Sequence, residues 1–433
     1  MDGIGTLRSS KENAFSSGKK EELRQYLKEF KVRVVLTTHP TQFHPGNVLG
    51  IITDLDRAIQ KNDLIRIKNL LTQLGKTPFF KKVKPTPYDE AVSLIWYLEH
   101  VFYDAMSSIY NYVQQNIFEG DVLENQIVEL DFWLGGDRDG NPFVTTEITL
   151  KVAERLRQTV LRKYYRDVRK LKRRLTFKGV EERLNRVENR LYKHLTKSYK
   201  VVNFSQEILL ENLKEIRDIL IREHKALFLE ELDDLIHKVA IFGFHFATLD
   251  IRQDSRVHHT AFSKMGEELL DSGDTTFPKN YFKLSPEEQI DLLSKLKGDM
   301  DRSIFTDKML VKTLGSIQAI KEIQYKNGKR GAHRYIISNN QGALNVMQTF
   351  AMLNLSGFGE KLPVDVIPLF ETLEDLQNSK EVMRTLYSNP AYRAHLRYGK
   401  DKQTIMLGFS DGTKDGGYLM ANCSIFMAKG SPY

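Results

Sequence analysis

The residues able to do chemistry in this chain gather in a few short clusters, and two carboxylates are the most informative. Glu371 directly follows the apolar run 364–370, and Asp411 lies two residues beyond the run 404–409. If these runs are neighbouring parallel strands, both acids reach one rim, where they repel unless a cation lies between them. A few hard oxygen donors suit Mg2+ or Mn2+, with water and substrate completing the shell. Singly, each acid reads better as a cap on the helix after its strand. As a pair at matching strand ends, they favour a metal.

Lys414 follows in Ser410-Asp411-Gly412-Thr413-Lys414-Asp415-Gly416-Gly417. Glycines there let the backbone approach a ligand, and the N-terminus of a following helix favours an anion. The spacing is not that of a phosphate-binding P-loop. Arg252, in Asp250-Ile251-Arg252-Gln253-Asp254, offers a guanidinium fork for phosphate or carboxylate, or an ion pair with Asp250 or Asp254. His39 ends the first apolar run and precedes Pro40, which holds it extended. A histidine there can move a proton near neutral pH, although a lone strand-end histidine is more often structural. His44, His245, His258 and His259 lack such company and read as structural or surface residues. The stretch from Gly135 to Pro142 reads as a tight turn stitched by an internal Asp–Arg pair, architectural first and substrate-contacting second.

These clusters need elements to bring them together. Six short apolar runs, at 32–38, 127–134, 240–249, 334–337, 364–370 and 404–409, each end in polar residues and are separated by helical spacing. Strands with polar carboxyl ends, alternating with helices, predict a helix-rich α/β fold, a TIM-like (β/α) barrel with its active site at one rim. Six units fall short of the eight that close such a barrel. Residues 1–20 read as a loose polar arm, with a short helix from Glu21 to Phe30, so residues 1–30 form an N-terminal segment. Residues 31–433 form the barrel domain, with a helical insertion at about 150–240. Thr86, followed by Pro87, Asp89 and Glu90, predicts a helix start. Thr145 or Thr146 predicts another.

Composition narrows the class. The 433 residues are 41% hydrophobic and carry a net charge of +8, with one cysteine, Cys423, which excludes an intramolecular disulfide. A reducing cytoplasm is the simplest setting. No apolar run approaches a membrane span, and the first residues show no secretory leader. The basic excess lies in 155–200, where interspersed acids favour a solvated helix face over a nucleic-acid interface. No nucleic-acid or membrane partner is expected.

The clusters, in this order, resemble the large bacterial and plant type of phosphoenolpyruvate carboxylase. The matching stretches are Val35–Gln42, Lys84–Glu90, Leu134–Pro142, Leu249–Ser255, Pro368–Leu376 and Gly408–Asp415. The resemblance implies a lyase that fixes carbon dioxide and supplies oxaloacetate to the tricarboxylic acid cycle. Its substrates would be phosphoenolpyruvate and bicarbonate, its cofactor Mg2+ or Mn2+, its setting cytoplasmic. It also implies a homotetrameric, allosteric assembly. By motif, Glu371 and Asp411 would hold the metal, and Arg252 would grip the phosphoryl group. Lys414 would help place bicarbonate, Gln253 would join these as a substrate contact, and His39 would handle the proton of carboxyphosphate.

The chain departs from the family pattern in places. Pro45 and Gly46 stand where arginines for a sugar-phosphate activator are usual. A further strand, a mobile loop rich in glycine and arginine, and a C-terminal domain are expected after Lys414 and are missing. The expectation is therefore a partial chain, weak or inactive alone. The alternatives are another metal-dependent enzyme acting on a phosphorylated enol, or a non-catalytic anion-binding module.

Overall fold

The computed structural model describes residues 6–37, 46–79, 85–121, 123, 125–196, 204–273, 278, 280–359 and 361–430. Its strand segments are β1 (Val32–Leu36), β2 (Val128–Phe132), β3 (Thr248–Leu249), β4 (Ile251–Asp254), β5 (Arg334–Ser338), β6 (Asp365–Phe370) and β7 (Met406–Leu407). All pair in parallel and in chain order, β1-β2-β3 in one sheet and β4-β5-β6-β7 in the other. Only Asp250 separates β3 from β4, so one extended stretch passes from the first sheet to the second.

Parallel neighbours require long crossovers, and helices supply them. Helices α1 (Leu7–Ser16) and α2 (Lys20–Glu29) precede β1, and α3 (Gly46–Gln60), α4 (Leu64–Lys76), α5 (Pro87–Tyr97) and α6 (Tyr103–Asn116) lead to β2. The long excursion to β3 uses α7 (Thr146–Lys172), α8 (Glu181–Thr196), α9 (Gln206–Glu223) and α10 (Leu229–Phe242). Then α11 (Ser255–Asp271), α12 (Pro286–Lys295) and α13 (Lys308–Asn327) lead to β5, and α14 (Ala343–Asn354) to β6. Last come α15 (Leu373–Ser388) and α16 (Pro390–Tyr398) before β7, and α17 (Phe409–Gly430) after it. Among the described residues no helix is long and apolar enough to cross a membrane.

Local chemistry accounts for the main boundaries. Thr86 and Asp89 form a reciprocal capping box at α5, with Pro87 in the first turn. Thr145 caps α7 by accepting the Ile148 N–H. Thr372 and Asp375 form a second box at α15, immediately after Glu371.

Three expectations need correction. Residues within 1–20 do not form a loose arm throughout, because Thr6 caps α1, although α1 buries none of its residues. The run 240–249 is not a strand over its length. Its first residues finish α10, and Phe242, Phe244 and Phe246 are buried in the helical core before β3 begins. An unbroken apolar run does not distinguish a buried helix end from a strand. The last strand is also shorter than the run 404–409, because Phe409 already starts α17.

The parallel register sorts the strand residues onto two faces. Leu130, Phe132, Leu249, Ile251, Tyr335, Ile337, Val366 and Phe370 join the main core with the helices. On the opposite face Ile336, Ile367 and Leu369 form a separate small cluster with Trp133 and Met406 packed on it. That second face carries the polar residues.

Candidate active site

Alternation places Arg33, Glu129, Asp131, Asp250, Arg334 and Asp365 on one face near the strand starts. Arg334 donates to Asp250 Oδ1 from Nε at 2.9 Å and to Oδ2 from Nη2 at 2.7 Å, and also meets Asp131. Trp133 Nε1 donates to Asp250 Oδ2 at 3.0 Å, and Arg33 Nε lies 3.2 Å from Asp131. Burial first, then the Asp250 charge, pushes the Asp131 carboxyl up to about 7. Above this charged tier lies the apolar cluster around Ile336, Ile367 and Leu369.

Above both, at the carboxyl ends, Arg252 becomes the hub. Its Nη2 donates to Asp139 Oδ2 at 2.7 Å and to Glu371 Oε1 at 3.2 Å, and Nη1 lies 3.7 Å from Asp137. The guanidinium sits 5.1 Å from the centre of the Trp133 ring, within cation–π range. Its Nε is buried and has no hydrogen-bond partner. Glu371, with 16% of its side chain exposed, is fixed at its other oxygen by the Asn339 N–H at 2.7 Å. Burial raises the Glu371 carboxyl; Asn339 and Arg252 pull it down, and Asp139 and Asp411 push it up. Burial likewise raises Asp137, against the pull of Arg252.

Close backbone approach builds this mouth. A Cβ on Gly136 would meet the Asp250 carbonyl oxygen at 2.0 Å, so only glycine lets the 135–142 turn lie against the third strand. The turn is stitched there by Arg138 N–H to Arg252 O at 2.9 Å and Arg252 N–H to Gly136 O at 3.1 Å. On the other side a Cβ on Gly408 would come within 3.0 Å of the Glu371 Cα. Asp415 Oδ2 accepts the Leu373 N–H at 3.0 Å, tying the start of α17 to that of α15.

The structure brings Arg252 and Glu371 into direct contact, and the Asp411 charge adds a smaller upward push on the Glu371 carboxyl. Asp411 and Lys414 form their own pair at 3.0 Å across the first two turns of α17, with 53% and 78% of their side chains exposed. Gln253 alternates away from Arg252, and its Oε1 accepts the Asp254 N–H at 3.0 Å. His39 lies outside the described residues. The internal Asp–Arg pair expected in the 135–142 turn is not formed. Arg138 instead reaches Thr149 Oγ1 at 3.3 Å, Thr146 Oγ1 at 3.5 Å and the Lys312 carbonyl at 3.5 Å, because its backbone is bound to β4 and its side chain points at α7 and α13. Arg252 pairs with neither Asp250 nor Asp254, which Arg334 and Arg256 occupy. Sequence reasoning missed that Asp137 and Asp139 serve Arg252; the pattern of two acids flanking an arginine was visible, but its partner lies 113 residues from Asp139. Within the described part of the basic stretch 155–200, ion pairs join Arg166 to Glu99, Arg169 and Lys172 to Glu188, and Arg174 to Glu231.

Among the described residues no group of three or more His, Cys, Asp or Glu side chains could hold a metal. The mouth nevertheless holds two more carboxylates (Asp137, Asp139, Glu371, Asp411) than cations (Arg252, Lys414). A hard divalent ion using two of those acids, with the remaining positions left to water and substrate, fits that donor set.

The chain is similar to known proteins over nearly all its length. The sequence profile of the family described as Phosphoenolpyruvate carboxylase matches residues 6–204 and 174–431. A phosphoenolpyruvate carboxylase of Nitrosomonas eutropha is 27% identical over 479 residues, covering 94% of this chain and 50% of that protein. One from Gloeobacter violaceus is 25% identical over 484 residues, with 94% and 51% covered. One from a Thermus species is 27% identical over 443 residues, with 94% and 49% covered. The chain thus spans about half the length of the curated relatives it matches.

Proposed function

This chain belongs to the phosphoenolpyruvate carboxylase family, and from that premise we propose that its strand ends carry the site where bicarbonate and phosphoenolpyruvate become oxaloacetate and phosphate. A bicarbonate oxygen would attack phosphorus as the bond to the enol oxygen breaks, giving carboxyphosphate and the enolate of pyruvate. Carboxyphosphate would release phosphate and CO2, and the enolate carbon would bond to that CO2. The observation that carries this reading is the Arg252–Glu371–Asp139 constellation, which gathers residues from β4, after β6 and after β2 at one end of the parallel strands.

Each residue has a part in that reading. Arg252 would take phosphoryl oxygens through Nε and through Nη2 released from Asp139 and Glu371. Glu371 and Asp411 would hold Mg2+ or Mn2+, which would neutralise oxygens as charge develops. Lys414 would swing from Asp411 to help place bicarbonate, and His39 would move the carboxyphosphate proton. Leu369, Met406 and Trp133 form an apolar floor beneath the cluster that would shield an enolate from water. The six strand positions would form part of a TIM-like barrel within 31–433, with α7–α10 as its insertion. A cytoplasmic homo-oligomer completes the reading.

Calorimetric titration tests it. Phosphoenolpyruvate should bind the chain only with Mg2+ or Mn2+, and Glu371→Gln should abolish that dependence. Bicarbonate-dependent release of phosphate would establish turnover; binding without release would favour a non-catalytic module. No metal-dependent binding to the wild-type chain would overturn the reading.

A further inference from the structure

Three residues close the carboxyl end of β5, and their polar groups are treated unequally. The middle one, Asn339, is satisfied: its N–H donates to Glu371 at 2.7 Å, and its carbonyl accepts Ser255 Oγ at 2.5 Å. The flanking pair is not. Ser338 and Asn340 are both 0% exposed, and Ser338 Oγ and both amide atoms of Asn340 have no hydrogen-bond partner. The Asn340 backbone N–H does reach Leu369 O, at 3.4 Å, so it is the side chain that stands unpaired. Buried polar groups are nearly always bonded in native proteins, and one left unpaired destabilises the fold. Uncompensated polar atoms this close together, beside a candidate site, point to a ligand.

Their position says which part of a ligand. Ser338 is opposite Asp254 in register and two residues beyond Ile336, so it shares the face of the apolar floor. Asn339 ties the same turn to Glu371. The site's cation for a phosphoryl dianion is Arg252. Ser338 and Asn340 offer neutral donors, a hydroxyl and an amide, which serve a monoanionic carboxylate without burying another charge. We propose that Ser338 Oγ and Asn340 Nδ2 position the carboxylate of the three-carbon substrate while Arg252 takes its phosphoryl end, leaving Asn340 Oδ1 to a water molecule. This rests on the proposed function and adds two positioning residues to it.

The test separates the two ends of the substrate. Titrations with Mn2+ present use phosphoenolpyruvate and, separately, inorganic phosphate, on the wild-type chain, Asn340→Leu and Ser338→Ala. Asn340→Leu should weaken phosphoenolpyruvate binding tenfold or more and leave phosphate binding within twofold. It should also raise the melting temperature of the ligand-free protein, since an unpaired buried amide is replaced by an apolar group of similar size. Ser338→Ala should weaken phosphoenolpyruvate binding three- to tenfold without lowering the melting temperature. Unchanged phosphoenolpyruvate affinity in both variants overturns the proposal and leaves the proposed function standing. Equal losses for the two ligands, or variants that melt lower or fail to fold, assign the pair a structural role and also overturn it. A wild-type chain that binds no phosphoenolpyruvate with metal overturns both readings.

Discussion

At the scale of single residues, Arg252 is held before any ligand arrives. Asp139, Asp137 and Glu371 grip its guanidinium from one side, and the Trp133 ring supports it. A ligand therefore meets a fixed fork, but it must displace carboxylates to use the whole of it. An ion that takes Glu371 frees part of Arg252, so metal and phosphoryl binding should help each other. Arg252→Lys keeps the charge and loses the fork. Hydrogen bonds to charged groups contribute about 1.5–3 kcal/mol, so phosphate affinity should fall roughly tenfold to a hundredfold, as calorimetry with inorganic phosphate would show. The cooperation with metal should shrink in the same variant. Arg252 and Glu371 could be picked from the sequence because each follows an apolar run. Their contact with Asp139 could not, since it depends on register between segments more than a hundred residues apart, and the Asp–Arg pair inside the 135–142 turn was the wrong local guess.

At the scale of elements, the mouth depends on how closely the turn after β2 lies against the extended stretch β3–β4. Gly136 is the point of closest approach, and the atom its Cβ would strike is backbone, which cannot swing aside. Gly136→Ala should cost about 1–3 kcal/mol by overpacking, read from urea unfolding. It should also loosen Asp137 and Asp139 from Arg252 and weaken phosphate binding. Gly342→Ala is the control, because its φ of −175° suits any residue and a Cβ there meets nothing within 4 Å; it should bind phosphate like the wild type. Helix starts at Thr86 and Thr145 were legible because a cap is a local device. The third strand was misplaced because Phe242, Phe244 and Phe246 are buried at a helix end, where the apolar run has no period to betray it. The Gly-rich segment after β7 proved to be helix, turning at Gly417, where φ is 81°.

At the scale of the molecule, the strand face carrying the candidate site rests on a charged tier that costs stability. Asp131 and Asp250 share Arg334 in near-complete burial, with the half-buried Arg33 as a second partner. Burial and the neighbouring Asp250 push Asp131 up to about 7. A raised carboxyl means that the fold prefers the protonated acid. Its contribution is complete below the ordinary carboxylate range and is lost as pH rises through about 7. Buried histidines act in the opposite sense over a different window: burial lowers His194 to about 4, His258 to about 3, His333 to about 3 and His395 to about 4. Their contribution is present above the ordinary histidine value, about 6.5, and is lost as pH falls toward those lowered values. Glu129, lowered to about 2 by Lys31, Arg330 and Arg33 against its burial, titrates well below both windows. Those histidines, still titrating in the unfolded chain at about 6.5, make stability rise with pH, and burial also raises Asp137, Asp250, Asp365 and Glu371. The Asp131 effect is therefore read as a difference between wild type and variant, with a slope of at most about 1.4 kcal/mol per pH unit for one proton. By denaturant titration, the stability of the wild-type chain relative to Asp131→Asn should fall as pH rises through about 7. Asp131→Asn should be the more stable of the two at pH 8, since an uncharged amide replaces a carboxylate that the tier cannot fully compensate. A difference that stays constant or shifts toward the wild type as pH rises would mean that Arg334 and Arg33 hold both acids ionised, and the tier would then be a net support of the fold rather than a cost.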